Sequence, residues 1–200
     1  MKIDIAIAPN NHLFPFAFDG KVPFLYDVSL WQRKDASDVE EFVSNWVINI
    51  NDFPVFVFFE CFDFQQEEID NECLTHCIEY TKSKWEEGSG YYNKIKINNI
   101  VQFKVIFPYL YGNGSMNNFA CLSLGKDVFS IGYRYLKTVW GENKKMETPI
   151  VTVNEFSTVL WVDYDGDGLV FISNNNRYSH LDLVIKTLPS TTDYSIVEYD

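Results

Sequence analysis

Apolar positions recur every three or four residues in one early segment of the chain. These positions define one face of an amphipathic helix and are Val39, Phe42, Val43, Trp46 and Val47. Ser37 and Glu40 have the spacing of a capping box, and Pro54 follows the segment. The pattern therefore predicts a first helix that begins near Ser37 and ends within residues 49–52.

A second helix is predicted over residues 65–86. The residues that would line its buried face are Ile69, Cys73, Cys77 and Tyr80. Acidic residues crowd its first turns and Lys82 and Lys84 lie near its end, an order that the helix dipole favours. Gly88 would then stop the helix.

Strand patterns dominate the rest of the chain. Residues 1–8 alternate between polar and apolar side chains, and residues 55–62 form an almost continuous apolar run typical of a buried central strand. From residue 91 onward, short apolar segments recur about every ten residues. These segments predict strands at 94–97, 101–107, 119–124, 128–138, 149–153, 158–163, 168–173, 181–188 and 194–199, with a loop at 108–116.

The predicted architecture is α+β. Two helices from the N-terminal half pack on a large, mostly antiparallel sheet, because strands and helices stop alternating after residue 91. Residues 1–200 are expected to form a single domain, since 46% hydrophobic residues suffice for one sizeable core. No apolar run is long enough to cross a membrane and no signal-peptide pattern opens the chain, so we expect a cytoplasmic protein.

The net charge is −12 and is unevenly distributed. Residues 33–87 hold fourteen acidic and four basic side chains, whereas residues 88–145 are net positive. This acidity argues against nucleic-acid binding and favours either a basic protein partner or a simple role in solubility. The expected partner-binding residues lie on the two predicted helices and are Glu40, Glu41, Glu67, Glu68, Asp70 and Glu72.

The turn 163–168 partly matches an EF-hand calcium loop. Asp163, Asp165, Asp167 and Gly168 satisfy its first positions, but Asn174 stands where the bidentate Glu is required. The flanking segments have strand patterns, so we expect a β-hairpin turn rather than a calcium site. The three aspartates remain candidates for a weak metal site.

Other candidate chemistry is sparse. Cys73 and Cys77 flank His76, but His12 and His180 are distant and supply no second cysteine pair for zinc. No histidine accompanies a nucleophile elbow, and no glycine-rich phosphate loop is present. Aromatic and basic residues alternate over 129–140, a pattern that suits base stacking or, more simply, one exposed sheet face. No cofactor is expected.

In size, acidity, β-rich build and absence of a catalytic motif, the chain resembles the immunity proteins that neutralise bacterial contact-delivered or polymorphic toxins. The resemblance implies a protein partner, a basic toxin domain, and it carries no site residues of its own. Two alternatives stay open at this stage. One is a metal-dependent hydrolase that uses Asp163, Asp165 and Asp167, and the other is a structural domain stabilised by calcium.

Overall fold

The computed structural model confirms the α+β class with a large, mostly antiparallel sheet. It describes residues 1–9, 14–22, 24–30, 32–137, 141 and 143–198. The helices are α1 (Ala36–Ile50), α2 (Asp63–Thr75), α3 (Ile100–Ser115) and α4 (Leu181–Ile185). The strands are β1 (Lys2–Ile7), β2 (Ala17–Gly20), β3 (Phe24–Ser29), β4 (Val55–Phe62), β5 (Glu79–Lys84), β6 (Gly90–Ile97), β7 (Ala120–Leu124), β8 (Phe129–Lys137), β9 (Asn143–Val153), β10 (Thr158–Val162), β11 (Gly168–Ser173) and β12 (Asp193–Ile196).

Two sheets organise these strands. The larger has nine strands in the order β12-β1-β3-β11-β10-β7-β4-β6-β5, and each neighbouring pair is antiparallel except β1 and β12, which are parallel. The smaller sheet has the order β2-β9-β8. The helices cover one face of the nine-stranded sheet and the small sheet covers part of the other, so the molecule has three layers.

Central strands are buried on both faces, which explains their continuous apolar sequence. In β4, Val57 and Phe59 join the core beneath the helices, whereas Phe58 joins the core beneath the small sheet. Trp161 of β10 likewise packs toward the small sheet, where Phe16 contacts its ring edge-on. The single charged residue within the β4 run, Glu60, shares its face with Phe58 and therefore points toward the small sheet.

Helix α1 confirms the first predicted helix with a different cap. Asp35, not Ser37, is the N-cap, and its Oδ1 accepts hydrogen bonds from the Asp38 N–H at 3.2 Å and the Ser37 hydroxyl at 2.6 Å. Near its other end, the indole Nε1–H of Trp46 donates to Thr187 Oγ1 at 2.7 Å. This buried bond ties α1 to the segment that follows α4.

The second predicted helix is half wrong. Helix α2 ends at Thr75, and the residues expected to continue it form the edge strand β5. The change of direction occurs at Cys77, which has a positive φ of 50° that a helix cannot accommodate. Lys82 and Lys84 therefore lie on a sheet edge, where charged side chains discourage pairing with other chains.

A third helix replaces a predicted strand and loop. Residues 101–107 and 108–116 belong largely to α3, whose N-cap Asn99 accepts hydrogen bonds from the N–H groups of Val101 and Gln102 through Oδ1. Pro108 lies inside this helix. The buried side chains recur at helical spacing and are Phe103, Ile106, Phe107, Leu110 and Tyr111.

The predicted strand at 181–188 is also wrong, because its first residues form the short helix α4. The other predicted strands are present with shifted ends, and Asn143 rather than residue 149 begins β9. In the described part of the chain, no helix is both long and apolar enough to span a bilayer.

Candidate functional site

Helix α3 forms the centre of the helical layer, where it packs against both α1 and α2. Its outward stripe contains Val101, which is 64% exposed, together with Val105 and Pro108. Lys104 is its single charged residue. The middle of this face is therefore mostly apolar, with the acidic helices α1 and α2 on either side.

On the α1 side, a shallow groove of about 230 Å³ separates the two helices. Glu40 and Glu41 line one wall, and Lys104 and Pro108 line the other. Partial burial raises the pKa of Glu40, and the nearby Asp35 carboxylate adds to this shift. The two predicted glutamates therefore border the apolar stripe of α3.

On the α2 side, a second groove of about 460 Å³ is lined by Glu68 and Glu72 together with α3 residues. The Tyr109 hydroxyl donates to Glu68 Oε1 at 2.9 Å. Burial and this hydrogen bond raise the pKa of Tyr109. Glu72 Oε2 lies 3.4 Å from His76 Nε2.

Pro108 contributes to both grooves and so joins them into one surface. We call this surface the acidic helical face. It consists of Glu40, Glu41, Glu68 and Glu72 around the α3 residues Lys104, Val105, Pro108 and Tyr109.

The remaining two predicted partner-binding residues have different surroundings. Glu67 is exposed on α2. Asp70 is half-buried, pairs with Lys82, and accepts Nε2–H of Gln66 at 2.9 Å. Burial raises the pKa of Asp70, but the hydrogen bonds from Lys82 and Gln66 outweigh it and the net shift is downward. Asp70 thus holds α2 against β5.

The turn between β10 and β11 is a hairpin turn, as predicted. Its aspartates bind separate protein partners. Asp163 Oδ1 accepts the Tyr164 N–H at 2.8 Å, Asp165 Oδ1 accepts Nδ2–H of Asn117 at 3.0 Å, and Asp167 Oδ1 pairs with Arg33 Nη1 at 2.7 Å. Within the described residues, no three His, Cys, Asp or Glu side chains are arranged to hold a metal ion. Each aspartate of the turn is thus held by a contact within the protein.

The cysteines are free in the structure, and three of the four are buried. Burial is the main cause that raises the pKa of Cys61 to about 11 and that of Cys73 to about 12. Cys77 is exposed just beyond α2. Of the histidines considered for zinc, His76 lies beside Glu72, and His12 is outside the described residues.

A cleft that the sequence did not predict lies between the nine-stranded sheet and the small sheet. Its volume is about 280 Å³. Strands β4, β6 and β9 and the turn between β5 and β6 supply its walls. We call it the carboxylate cleft, and it is lined by Glu60, Trp85, Glu86, Glu87, Tyr92, Lys145, Met146 and Glu147.

Glu60 is the most deeply placed carboxylate of the cleft. Its Oε2 accepts the Phe119 N–H at 2.9 Å. Burial raises the pKa of Glu60, and the charge of Glu147 raises it further, against the opposing effects of the Phe119 hydrogen bond and Arg134. Glu147 Oε2 accepts the Glu86 N–H at 3.1 Å.

Aromatic rings surround these carboxylates. Tyr92 is 5% exposed, and its pKa is raised by burial and by the negative charges of Glu60 and Glu147. The Tyr133 hydroxyl donates to Glu86 Oε1, and the ammonium of Lys145 lies 3.6 Å from the centre of the Tyr133 ring. Tyr133 belongs to the segment 129–140, of which residues 138–140 lie outside the described part.

One sequence signal for this cleft existed. Glu60 interrupts the apolar run of β4, and a charged residue inside a buried strand is a reason to look for a polar site. Glu147, which lines the same cleft, carried no comparable signal, because it lies on β9, a strand far from β4 in the chain.

Comparisons with known proteins found no similar protein. The chain matches no family model, no curated protein and no solved structure.

Proposed function

We propose that the protein is a toxin-neutralising immunity protein that binds a basic toxin domain in the cytoplasm through the acidic helical face. The observation that carries the proposal is the position of Glu40 and Glu41 on one side of α3 and of Glu68 and Glu72 on the other. Four carboxylates drawn from two helices thus border one apolar stripe.

This arrangement of apolar and charged residues is typical of a protein-binding surface. Interfaces combine an apolar centre that becomes fully buried with a polar rim that stays in contact with water. Val101, Val105 and Pro108 would supply the centre, and the glutamates would supply a rim of one sign. A basic partner would meet complementary charge around a surface that gains from burial.

The net charge of −12 adds a longer-range effect. A field of one sign raises the rate at which an oppositely charged protein arrives, and added salt weakens that effect. Blocking a toxin requires fast capture, so steering by this face fits the proposed role.

The test uses the double variant Glu40→Lys/Glu41→Lys and a small basic protein encoded beside this chain as the candidate partner. Association rates are measured by stopped flow from about 50 to about 300 mM salt. We expect the variant to associate about tenfold more slowly at low salt, with a flatter dependence on salt.

A matched control changes the net charge equally on the other side of the molecule. Asp19→Lys/Glu155→Lys alters two exposed residues in β2 and in the turn after β9. This control should keep most of the association rate. Equal losses in both variants, or an unchanged rate in the first with binding intact, would contradict the proposed face.

A further inference from the structure

The carboxylate cleft has an unbalanced charge. Its walls hold Glu60, Glu86 and Glu147, and none of these forms an ion pair with a basic side chain in the described part of the chain. Three cations lie nearby. Lys144 pairs with Glu87 at 2.6 Å, the ammonium of the lining residue Lys145 lies over the Tyr133 ring, and Arg134 acts on Glu60 through its charge, with no ion pair between them among the described residues. The cleft therefore offers carboxylate oxygens to a cation from outside.

The shape and the lining residues of the cleft indicate which kind of cation it would bind. Among the described residues, no three carboxylates converge as a metal site requires. The cleft is therefore better suited to an extended cation than to a compact metal ion. An extended, planar cation reaches carboxylates that stand apart and stacks on aromatic faces. Trp85 and Tyr92 supply such rings within the cleft.

The size of the cleft fits one side chain. Its 280 Å³ is slightly below the range of about 300–1,000 Å³ that is usual for whole small-molecule ligands. A guanidinium group at the end of a flexible stem would occupy it while the rest of the ligand stays outside.

We infer that the carboxylate cleft is a binding site for the guanidinium group of an arginine side chain presented by a peptide or protein. Glu60 and Glu147 accept hydrogen bonds from the guanidinium, and Trp85 and Tyr92, whose rings contact each other at 58°, form the aromatic wall against which it packs. Glu60 points to the side of the nine-stranded sheet opposite the helices, so this inference does not depend on the acidic helical face.

The test is titration of the protein with acetyl-Gly-Arg-Gly-amide, followed by the indole N–H resonance of Trp85 in a nitrogen-15 NMR spectrum. A Trp85→Phe variant assigns that resonance. We expect a saturable shift with a dissociation constant on the order of 1 mM. The same peptide with citrulline, a neutral residue of similar shape, should produce no saturation, and the lysine peptide should bind more weakly.

Two conservative variants examine the carboxylates. Glu60→Gln and Glu147→Gln keep the acceptors for the Phe119 and Glu86 N–H groups, so both should fold. Each should weaken arginine-peptide binding by about tenfold. Glu79→Gln, which removes the same charge from an exposed residue of β5 outside the cleft, should leave it within about twofold.

Three outcomes would overturn the inference. They are a citrulline or lysine peptide that binds as well as the arginine peptide, equal losses for Glu60→Gln and Glu79→Gln, and no saturable shift up to about 10 mM peptide. The second outcome would assign the attraction to the overall negative field and not to the cleft.

Discussion

Replacing Thr187 by Val removes one hydroxyl from the contact between α1 and the C-terminal part of the chain. In the folded protein, Thr187 Oγ1 accepts the Trp46 indole N–H and donates to the Val184 carbonyl, each at 2.7 Å. Trp46 is fully buried. The substitution preserves the shape of the side chain and leaves the indole N–H without an acceptor.

The loss in the free energy of unfolding follows from the Trp46 indole N–H, which has no acceptor in the variant. The Val184 carbonyl keeps a partner, since it also accepts the Thr187 backbone N–H at 2.9 Å. The expected cost is therefore that of one buried unsatisfied N–H, about 1–3 kcal/mol. In a chain of this length, this loss lowers the melting temperature by about 2–12 °C.

The assay is urea and thermal unfolding followed by far-UV circular dichroism, with Thr191→Val, an exposed turn residue, as the control. A double-mutant cycle isolates the cause. In a Trp46→Phe background no indole donor remains, so Thr187→Val should cost less than about 0.5 kcal/mol. A neutral effect in the native background, or the same loss in both, would refute the reasoning.

Two further predictions concern titratable groups. Because burial holds the pKa of Glu60 above its ordinary value, the free energy of unfolding loses a contribution as the pH rises through that raised pKa. Glu60→Gln should therefore melt above the unmodified protein at pH 7, with the difference vanishing near about pH 4 in a thermal scan, and a lower melting point at pH 7 would contradict this. The cysteines should differ in reactivity at neutral pH, because Cys77 is exposed whereas burial protects the other three. A disulfide reagent should react quickly with one thiol in the native protein and with all four thiols after unfolding. Quick reaction of two or more thiols in the native protein would contradict this prediction and show that the core opens.

Local patterns predicted the fold well where one periodicity was unambiguous. The apolar run of β4 and the three- and four-residue spacing of α1 each identified an element that the structure contains. Helix α3 was missed because Pro108 and two glycines resemble loop residues, whereas burial against the sheet and capping by Asn99 stabilise the helix around them. The end of α2 depends on the backbone of Cys77, a residue type that gives no turn signal.

The acidic helical face and the carboxylate cleft were harder to predict from the sequence than the fold. Charge counts identified the acidic segment, but not that Glu68 and Glu72 border α3 while Asp70 pairs with Lys82. That division depends on how α2 is rotated against its neighbours. The carboxylate cleft depends on the packing of β9 over β4, and such long-range pairing leaves no local pattern.

The strand order has a consequence for the growing chain on the ribosome. Strand β3 pairs with β1 and with β11, and β1 pairs with β12. At translation rates of about 5–20 residues per second, roughly 140 residues separate the synthesis of β3 from that of β11, a delay of roughly 7–28 s. Strands β4 to β7 and helices α1 to α3 are synthesised within that interval and are neighbours in the structure, so they have time to fold first. Until β11 emerges, β3 has one unpaired edge, and this edge is exposed to edge-to-edge association with other chains.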